Sequence, residues 1–185
     1  MTDWSGSTAL IVIDVQQGFD DAAYWGERNN PDCEANVARL IAAWRDHDWP
    51  IVFVRHDSQN GASPLAPKQP GNAFKNVVVG EPDVLVVKSV HSAFLGEPDL
   101  HAWLTERAIT GIAICGVQTN MCCETTARDG SDLGYEMLFV LDATYTFDII
   151  GSNHQVYRAR EIARYSALTL AADFGKVVST HDLVN

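Results

Sequence analysis

Residues 112–130, IAICGVQTNMCCETTARDG, decide the reading of this 185-residue chain. The apolar run from Ile112 to Ile114, with Cys115 beside it, has the composition of a buried strand. It breaks at Gly116. Thr119 and Asn120 then stand where a helix starts, and Cys122, Cys123 and Glu124 open a helical pattern that runs to about Leu133, with Gly134 as its stop. A strand, a sharp turn and a helix with a cysteine in its first turn form a chemical device. The unpaired N–H groups and the positive end of the helix dipole favour a thiolate, so a cysteine there can react near neutral pH.

Outward from that stretch, apolar runs alternate with helical patterns. Thr8 to Ile13 reads as a buried strand with Asp14 at its carboxyl end, and residues 20–30 as a loop holding Tyr24 and Trp25. Asn30-Pro31-Asp32 reads as a helix start, and Val37, Leu40, Ile41 and Trp44 recur at helical spacing up to Asp46. Residues 50–54 form a second strand, followed by Arg55-His56-Asp57 and by a long Gly/Pro/Ser/Asn-rich loop over residues 58–76. Residues 84–87 form a third strand, ending at Lys88, and residues 98–107 a short helix. A fifth strand spans residues 135–141 and ends at Asp142, a long helix runs from Asn153 or His154 to about Phe174, and residues 176–179 form a sixth strand. Strands apolar on both faces that alternate with helices imply a three-layer α/β/α architecture around a mainly parallel six-stranded sheet. No repeat or linker divides residues 1–185, so one domain is expected.

Composition narrows the function. The formal net charge is −11 and the pI about 4.8, with no cluster of Lys or Arg, so neither a nucleic acid nor an anionic membrane surface is the expected partner. The first residues, MTDWSGSTAL, lack the pattern of a signal peptide, and no apolar run would span a bilayer, so the expected setting is cytoplasmic. The four cysteines include no C-x-x-C pair, and no phosphate-loop or G-x-G-x-x-G pattern is present.

In a parallel sheet the site lies beyond the carboxyl ends of the strands. Asp14, His56, Lys88 and the turn leading to Cys122 all stand at such ends. A nucleophile, an acid–base group and a cation in one cleft suit acyl transfer through a covalent intermediate. Each residue also has a plainer reading: Asp14 as a turn cap, Lys88 as a surface charge, His56 as a satisfied hydrogen-bonding side chain and Cys122 as packed core. Cys123 points to another side of its helix and reads as core, as do Cys33 and Cys115.

Ile13-Asp14-Val15-Gln16, Lys88-Ser89 with Ala93-Phe94 behind it, and residues 116–122, GVQTNMC, with Thr125-Thr126-Ala127-Arg128 after them, resemble the isochorismatase-like cysteine hydrolase family. The match extends over nearly the whole chain, including Gly134-Tyr135 and Asp142-Ala143. It implies the fold of that family and a catalytic triad of Asp14, Lys88 and Cys122. It implies a cis peptide between Val117 and Gln118, and an oxyanion hole made by the main-chain N–H groups of Gln118 and Cys122. It also implies a small-molecule substrate and assembly as a homodimer or homotetramer. Nicotinamidases in this group carry an Asp/His metal cluster after the second strand. Residues 55–60 here, RHDSQN, have no second histidine, so no metal or other cofactor is expected. Isochorismatases proper cleave a vinyl ether without a cysteine nucleophile, which Cys122 argues against. The expected reaction is hydrolysis of a C–N bond in a small amide, ureide, carbamoyl compound or lactam, with streptothricin hydrolase a possible neighbour. The competing readings are a vinyl-ether hydrolase and a non-catalytic binding module. By position, Phe19, Tyr24, Trp25, His56 and Phe94 are the expected pocket residues, with Tyr145 or Phe147 as further candidates.

Overall fold

The computed structural model describes residues 6–184, so the first five residues read for a signal peptide lie outside it. Six strands form one sheet: β1 Thr8–Ile13, β2 Ile51–His56, β3 Val84–Lys88, β4 Gly111–Val117, β5 Glu136–Tyr145 and a short Lys176–Val178 strand. They are ordered β3, β2, β1, β4, β5 and then Lys176–Val178, and every neighbouring pair is parallel. β1 and β4 lie at the centre, and every residue of both is buried. Their continuous Val/Ile/Leu-rich runs reflect a sheet covered on both faces.

Two apolar clusters cover the sheet. Under α2, Cys33–Asp46, lie Leu10, Val12, Phe53, Ala113 and Cys115 with the helix residues Val37, Leu40, Ile41 and Trp44. On the opposite face Ile11, Ile13, Val54, Ile112 and Ile114 meet Leu100 and Leu104 of α3, Leu100–Glu106, Ala127 of α4, Glu124–Asp132, and Leu170 of α5, Ala159–Asp173. Alternate residues of each central strand go to opposite clusters, as the period of a strand dictates. The buried Trp44 indole keeps its hydrogen bond by donating to the Thr8 carbonyl at 3.0 Å. Among the described residues no helix is long and apolar enough to cross a membrane.

Several boundaries differ from expectation, each for a local reason. The helix expected from Asn30 begins at Cys33. Asn30 has a positive φ of 43° and donates to the carbonyls of Asp142 and Thr144, so it ties β5 rather than capping α2. β5 continues to Tyr145 through a register shift opposite residues 114–116. Asp142 therefore does not end the strand. Its carboxylate accepts from the Thr180 N–H at 2.7 Å and hydroxyl at 2.9 Å, at the start of the terminal helix α6, Thr180–Val184. The long helix starts at Ala159, because Ile149–Ile150 and Val156–Tyr157, both rich in strand-forming side chains, pair first as an antiparallel ribbon, β6 and β7. The Lys176–Val178 strand is thus β8 of the chain. Before that ribbon, the four-residue helix Ala22–Trp25 is α1, capped by Asp21.

Candidate active site

The sheet order reverses at its centre. From β1 the chain goes outward to β2 and β3, then returns to β4 on the other side. That switch point opens a crevice beyond the carboxyl ends of β1 and β4. Ile13 pairs with Gly116 across it, so Asp14 and the turn after β4 leave the sheet side by side. On the other flank, His56 pairs directly with Lys88 at the ends of β2 and β3.

Gly116 makes the close approach possible. Its φ is 126°, and a Cβ there would lie 1.9 Å from the Ile13 carbonyl oxygen. The Val117–Gln118 peptide is cis. The Gln118 carbonyl then accepts from the N–H groups of Met121 and Cys123 at 3.1 and 3.2 Å, which starts a π turn over Thr119–Cys123 before α4. Buried hydroxyls hold this turn. Thr119 donates to Thr144 at 2.9 Å, and Thr146 donates to Asn120 at 2.5 Å.

The Lys88 ammonium and the Asp14 carboxylate are both fully buried and lie 2.7 Å apart. Lys88 Nζ also meets His56 Nδ1 at 3.3 Å and donates to the Val90 carbonyl at 3.2 Å. An ammonium has three N–H groups and no acceptor, so it shares them among these partners and the Cys122 sulfur. The same logic assigns the histidine tautomer. Nδ1 must accept, so the neutral ring carries its proton on Nε2. Burial pushes the His56 pKa down and the Lys88 charge pushes it further, with Asp14 opposing, so the ring stays neutral at pH 7. Burial also works against the Lys88 charge, but Asp14 and Cys122 outweigh it and raise the Lys88 pKa.

One oxygen of Asp14 is thereby fixed on Lys88. The other, Oδ1, is the buried side-chain polar atom without a hydrogen-bond partner among the described residues. An Asp14 oxygen, a His56 ring nitrogen and Cys122 Sγ all lie within 4.8 Å of one another. Burial raises the pKa of Cys122, the Asp14 charge raises it further, and Lys88 opposes both without overcoming them. Burial and the Asp14 charge thus favour the thiol form of this sulfur, the form whose proton a neighbouring carboxylate could take. Cys33, Cys115 and Cys123 are buried thiols, each raised by burial.

A carboxylate, an imidazole and a sulfur at this spacing could in principle bind a divalent metal. Here the ammonium already sits on both Asp14 Oδ2 and His56 Nδ1. A divalent cation on the remaining atoms of these residues would lie against that buried ammonium, so this donor set does not fit one.

Of the five expected pocket residues, His56 touches the Asp14–Lys88 pair, and the other four make their ring contacts elsewhere. Phe94 stacks on Tyr135, with centroids 5.8 Å apart, and packs over Gly130 of α4. It belongs to the core near the amino end of β5, a reading that its apolar character and position behind Lys88 did not separate from a pocket role. Phe19 and Trp25 pack with each other and with Phe147, and Tyr24 packs on Trp25 while remaining half exposed. Phe19 and Phe147 also line a cavity of about 390 Å³ with Arg28 and Glu27. Tyr145 is buried against this aromatic group, beneath Arg28 and Lys75.

Two residues that sequence reasoning passed over carry much of the site. Gln16 is buried, accepts the His56 N–H at 2.9 Å and donates to the carbonyls of His56 and Asn72 at 3.1 and 2.8 Å. Asn72 donates to the same His56 carbonyl at 3.2 Å and to Leu65 at 2.9 Å. Together they clamp the end of β2 to the long loop. A glutamine two residues after the strand-end aspartate was the available signal, but its partner could not be read from it.

Known proteins share this fold. Residues 8–182 match the family model of the isochorismatase domain. The uncharacterized isochorismatase family protein YrdC of Bacillus subtilis is 35% identical over 178 residues, covering 96% of this chain and 94% of the relative. Nicotinamidase 3 of Arabidopsis thaliana and streptothricin hydrolase of Streptomyces noursei are each 31% identical over 76% of this chain, covering 74% and 50% of their own lengths. The crystal structure of an isochorismatase-family protein from Chromobacterium violaceum superposes with a TM-score of 0.92 at 32% identity, over 100% of this chain and 95% of that one. A cysteine hydrolase from Pseudomonas syringae superposes at 0.85 with 27% identity, over 97% of this chain and 91% of its own.

Proposed function

The chain belongs to the isochorismatase family of hydrolases, and from that premise we propose that it is a cysteine hydrolase cleaving a C–N bond of a small amide through a thioester. One observation carries the reading. Asp14 has one oxygen on Lys88 and its other oxygen buried without a partner, and the carboxylate lies within 4.8 Å of the Cys122 sulfur.

The chemistry follows from that arrangement. Asp14 Oδ1 accepts the thiol proton as the Cys122 sulfur attacks the substrate carbonyl carbon. The S–C bond forms, and the carbonyl π electrons move onto oxygen. The main-chain N–H groups of Gln118 and Cys122 are assigned to hold that oxygen, where preorganised donors have their largest effect. When the C–N bond breaks, Asp14 returns the proton to the leaving nitrogen and an amine or ammonia departs. Water then attacks the thioester with Asp14 again taking its proton. The acid leaves and the thiol is restored. Lys88 keeps the carboxylate charged in a dry site and offsets the negative charge passing between oxygen and sulfur.

The test is a panel of small amides, ureides, carbamoyl compounds and lactams, followed by ammonia or amine release and by intact mass of the quenched protein. The expected result is turnover with an acyl adduct on Cys122. Turnover that survives Cys122→Ala would move the protein to vinyl-ether or other non-thiol chemistry. Absence of both turnover and adduct would favour a binding module.

A further inference from the structure

The His56 side chain is the one group at this site that the mechanism above leaves unused. Its backbone is clamped by Gln16 and Asn72, and its ring is held by Lys88 at Nδ1. The ring therefore has one orientation and one tautomer, with the proton on Nε2. Nε2 has no hydrogen-bond partner among the described residues, yet it is not a buried orphan, since that description fits only Asp14 Oδ1. His56 is only partly buried, so this unpaired N–H on a fixed ring near the nucleophile is a donor awaiting an acceptor. A ring nitrogen of His56 lies within 4.8 Å of both Cys122 Sγ and an Asp14 oxygen, which puts the ring within reach of a group bound to the sulfur. Lys88 and His91 oppose a positive charge on it, while Asp14 and Asp57 favour one. Burial is the largest influence, so the ring acts as a neutral donor.

Resting on the cysteine-hydrolase reading, we propose that the His56 Nε2–H binds substrate and selects amides that carry a second acceptor oxygen beside the scissile carbonyl. Such an oxygen, on a ureide, an oxo or a carboxylate group, would satisfy the open N–H. A simple alkyl amide would leave it desolvated and unpaired, which is the costly half of hydrogen-bond discrimination.

Two substitutions separate the two ends of the ring. His56→Asn places an acceptor where Nδ1 meets Lys88 and removes the outward donor. His56→Gln places an amide N–H near the position of Nε2 and loses the anchor. Purified protein is assayed with butyramide against malonamate and succinamate, and Cys122 alkylation by iodoacetamide is followed in parallel. The wild type is expected to prefer the two acceptor-bearing amides. His56→Asn is expected to lose about tenfold in kcat/KM for them, mostly in KM, a loss of the size of one neutral hydrogen bond. Its loss on butyramide is expected to be smaller, so the selectivity ratio falls, with His56→Gln regaining part of it. Equal losses on all three amides, matched by the change in alkylation rate, would make His56 a support for Lys88 and overturn the proposal. An unchanged selectivity ratio would overturn it while leaving the cysteine-hydrolase reading intact. A wild type that turns over none of the three, nor any amide of the wider panel, would remove both.

Discussion

At the scale of single residues, the account rests on how the charges are shared. Lys88 is fully buried and held by Asp14, His56 and Val90, so it serves as a fixed counter-charge rather than a mobile proton donor. Lys88→Met would leave a fully buried carboxylate unpaired, and the expected cost is about 3–5 kcal/mol in urea unfolding, with loss of turnover. Asp14→Asn removes the proposed base while nearly conserving shape, and turnover is expected to fall about 10²–10⁴-fold in steady-state assays. Cys122→Ala should abolish turnover. Cys123→Ala should retain most of it, because Cys123 packs in the core cluster on that face of the sheet. Equal loss from both cysteine substitutions would show that the nucleophile has been misassigned.

At the scale of elements, the turn between β4 and α4 decides whether the sulfur reaches the carboxylate. Gly116→Ala would place a methyl group on the Ile13 carbonyl at a φ that L residues rarely adopt. The expected destabilisation is about 3 kcal/mol or more, measured by thermal or denaturant unfolding. A Gly116→Ala protein of ordinary stability would show that the two strand ends are not packed as described. This turn was legible in the sequence because a glycine between an apolar run and a helix start has few other uses. The central strands were legible for a similar reason, since continuous apolar runs bounded by polar residues leave little choice. The β6–β7 ribbon was not legible. Its strands are two residues each, too short for a period, and Asn153 and His154 resembled a helix start. The extension of β5 was hidden because its register shift sends Asp142 to α6, where a local reading had placed a strand end.

At the scale of the whole molecule, the strand ends that carry Asp14, His56, Lys88 and the Cys122 turn were visible as polar residues after apolar runs. The topology does the rest by bringing β1 and β4 together at the switch point. The loop contacts were not visible, because they depend on which distant loop lies over which strand. A second, partly buried ion network shows this. Lys75, Asp20, Glu34, Arg28 and Tyr145 come from four separated segments and fasten residues 20–30 and 70–76 to α2. Burial pushes the Glu34 carboxyl up, but hydrogen bonds from Arg28 and Lys75 outweigh it and hold its pKa at about 2, against an ordinary 4.5. A depressed carboxyl stabilises the fold above its unfolded value and loses that contribution as pH falls from 4.5 toward 2. Glu34→Gln is therefore expected to be less stable than wild type at pH 7, with the gap closing across that acidic range in denaturant titrations. A gap independent of pH would mean that packing, and not charge, is what Glu34 contributes.

The central claim is that the Asp14 carboxylate governs the proton on the Cys122 sulfur. The pH dependence of Cys122 alkylation by iodoacetamide, read by peptide mass spectrometry in wild type and Asp14→Asn, tests it without knowledge of the substrate. The account predicts that wild-type alkylation is still rising above pH 9, the ordinary thiol value, because burial and Asp14 both hold the thiol protonated. It predicts that Asp14→Asn shifts this profile to lower pH, so that alkylation at neutral pH quickens while turnover collapses. Superimposable profiles for the two proteins would contradict it.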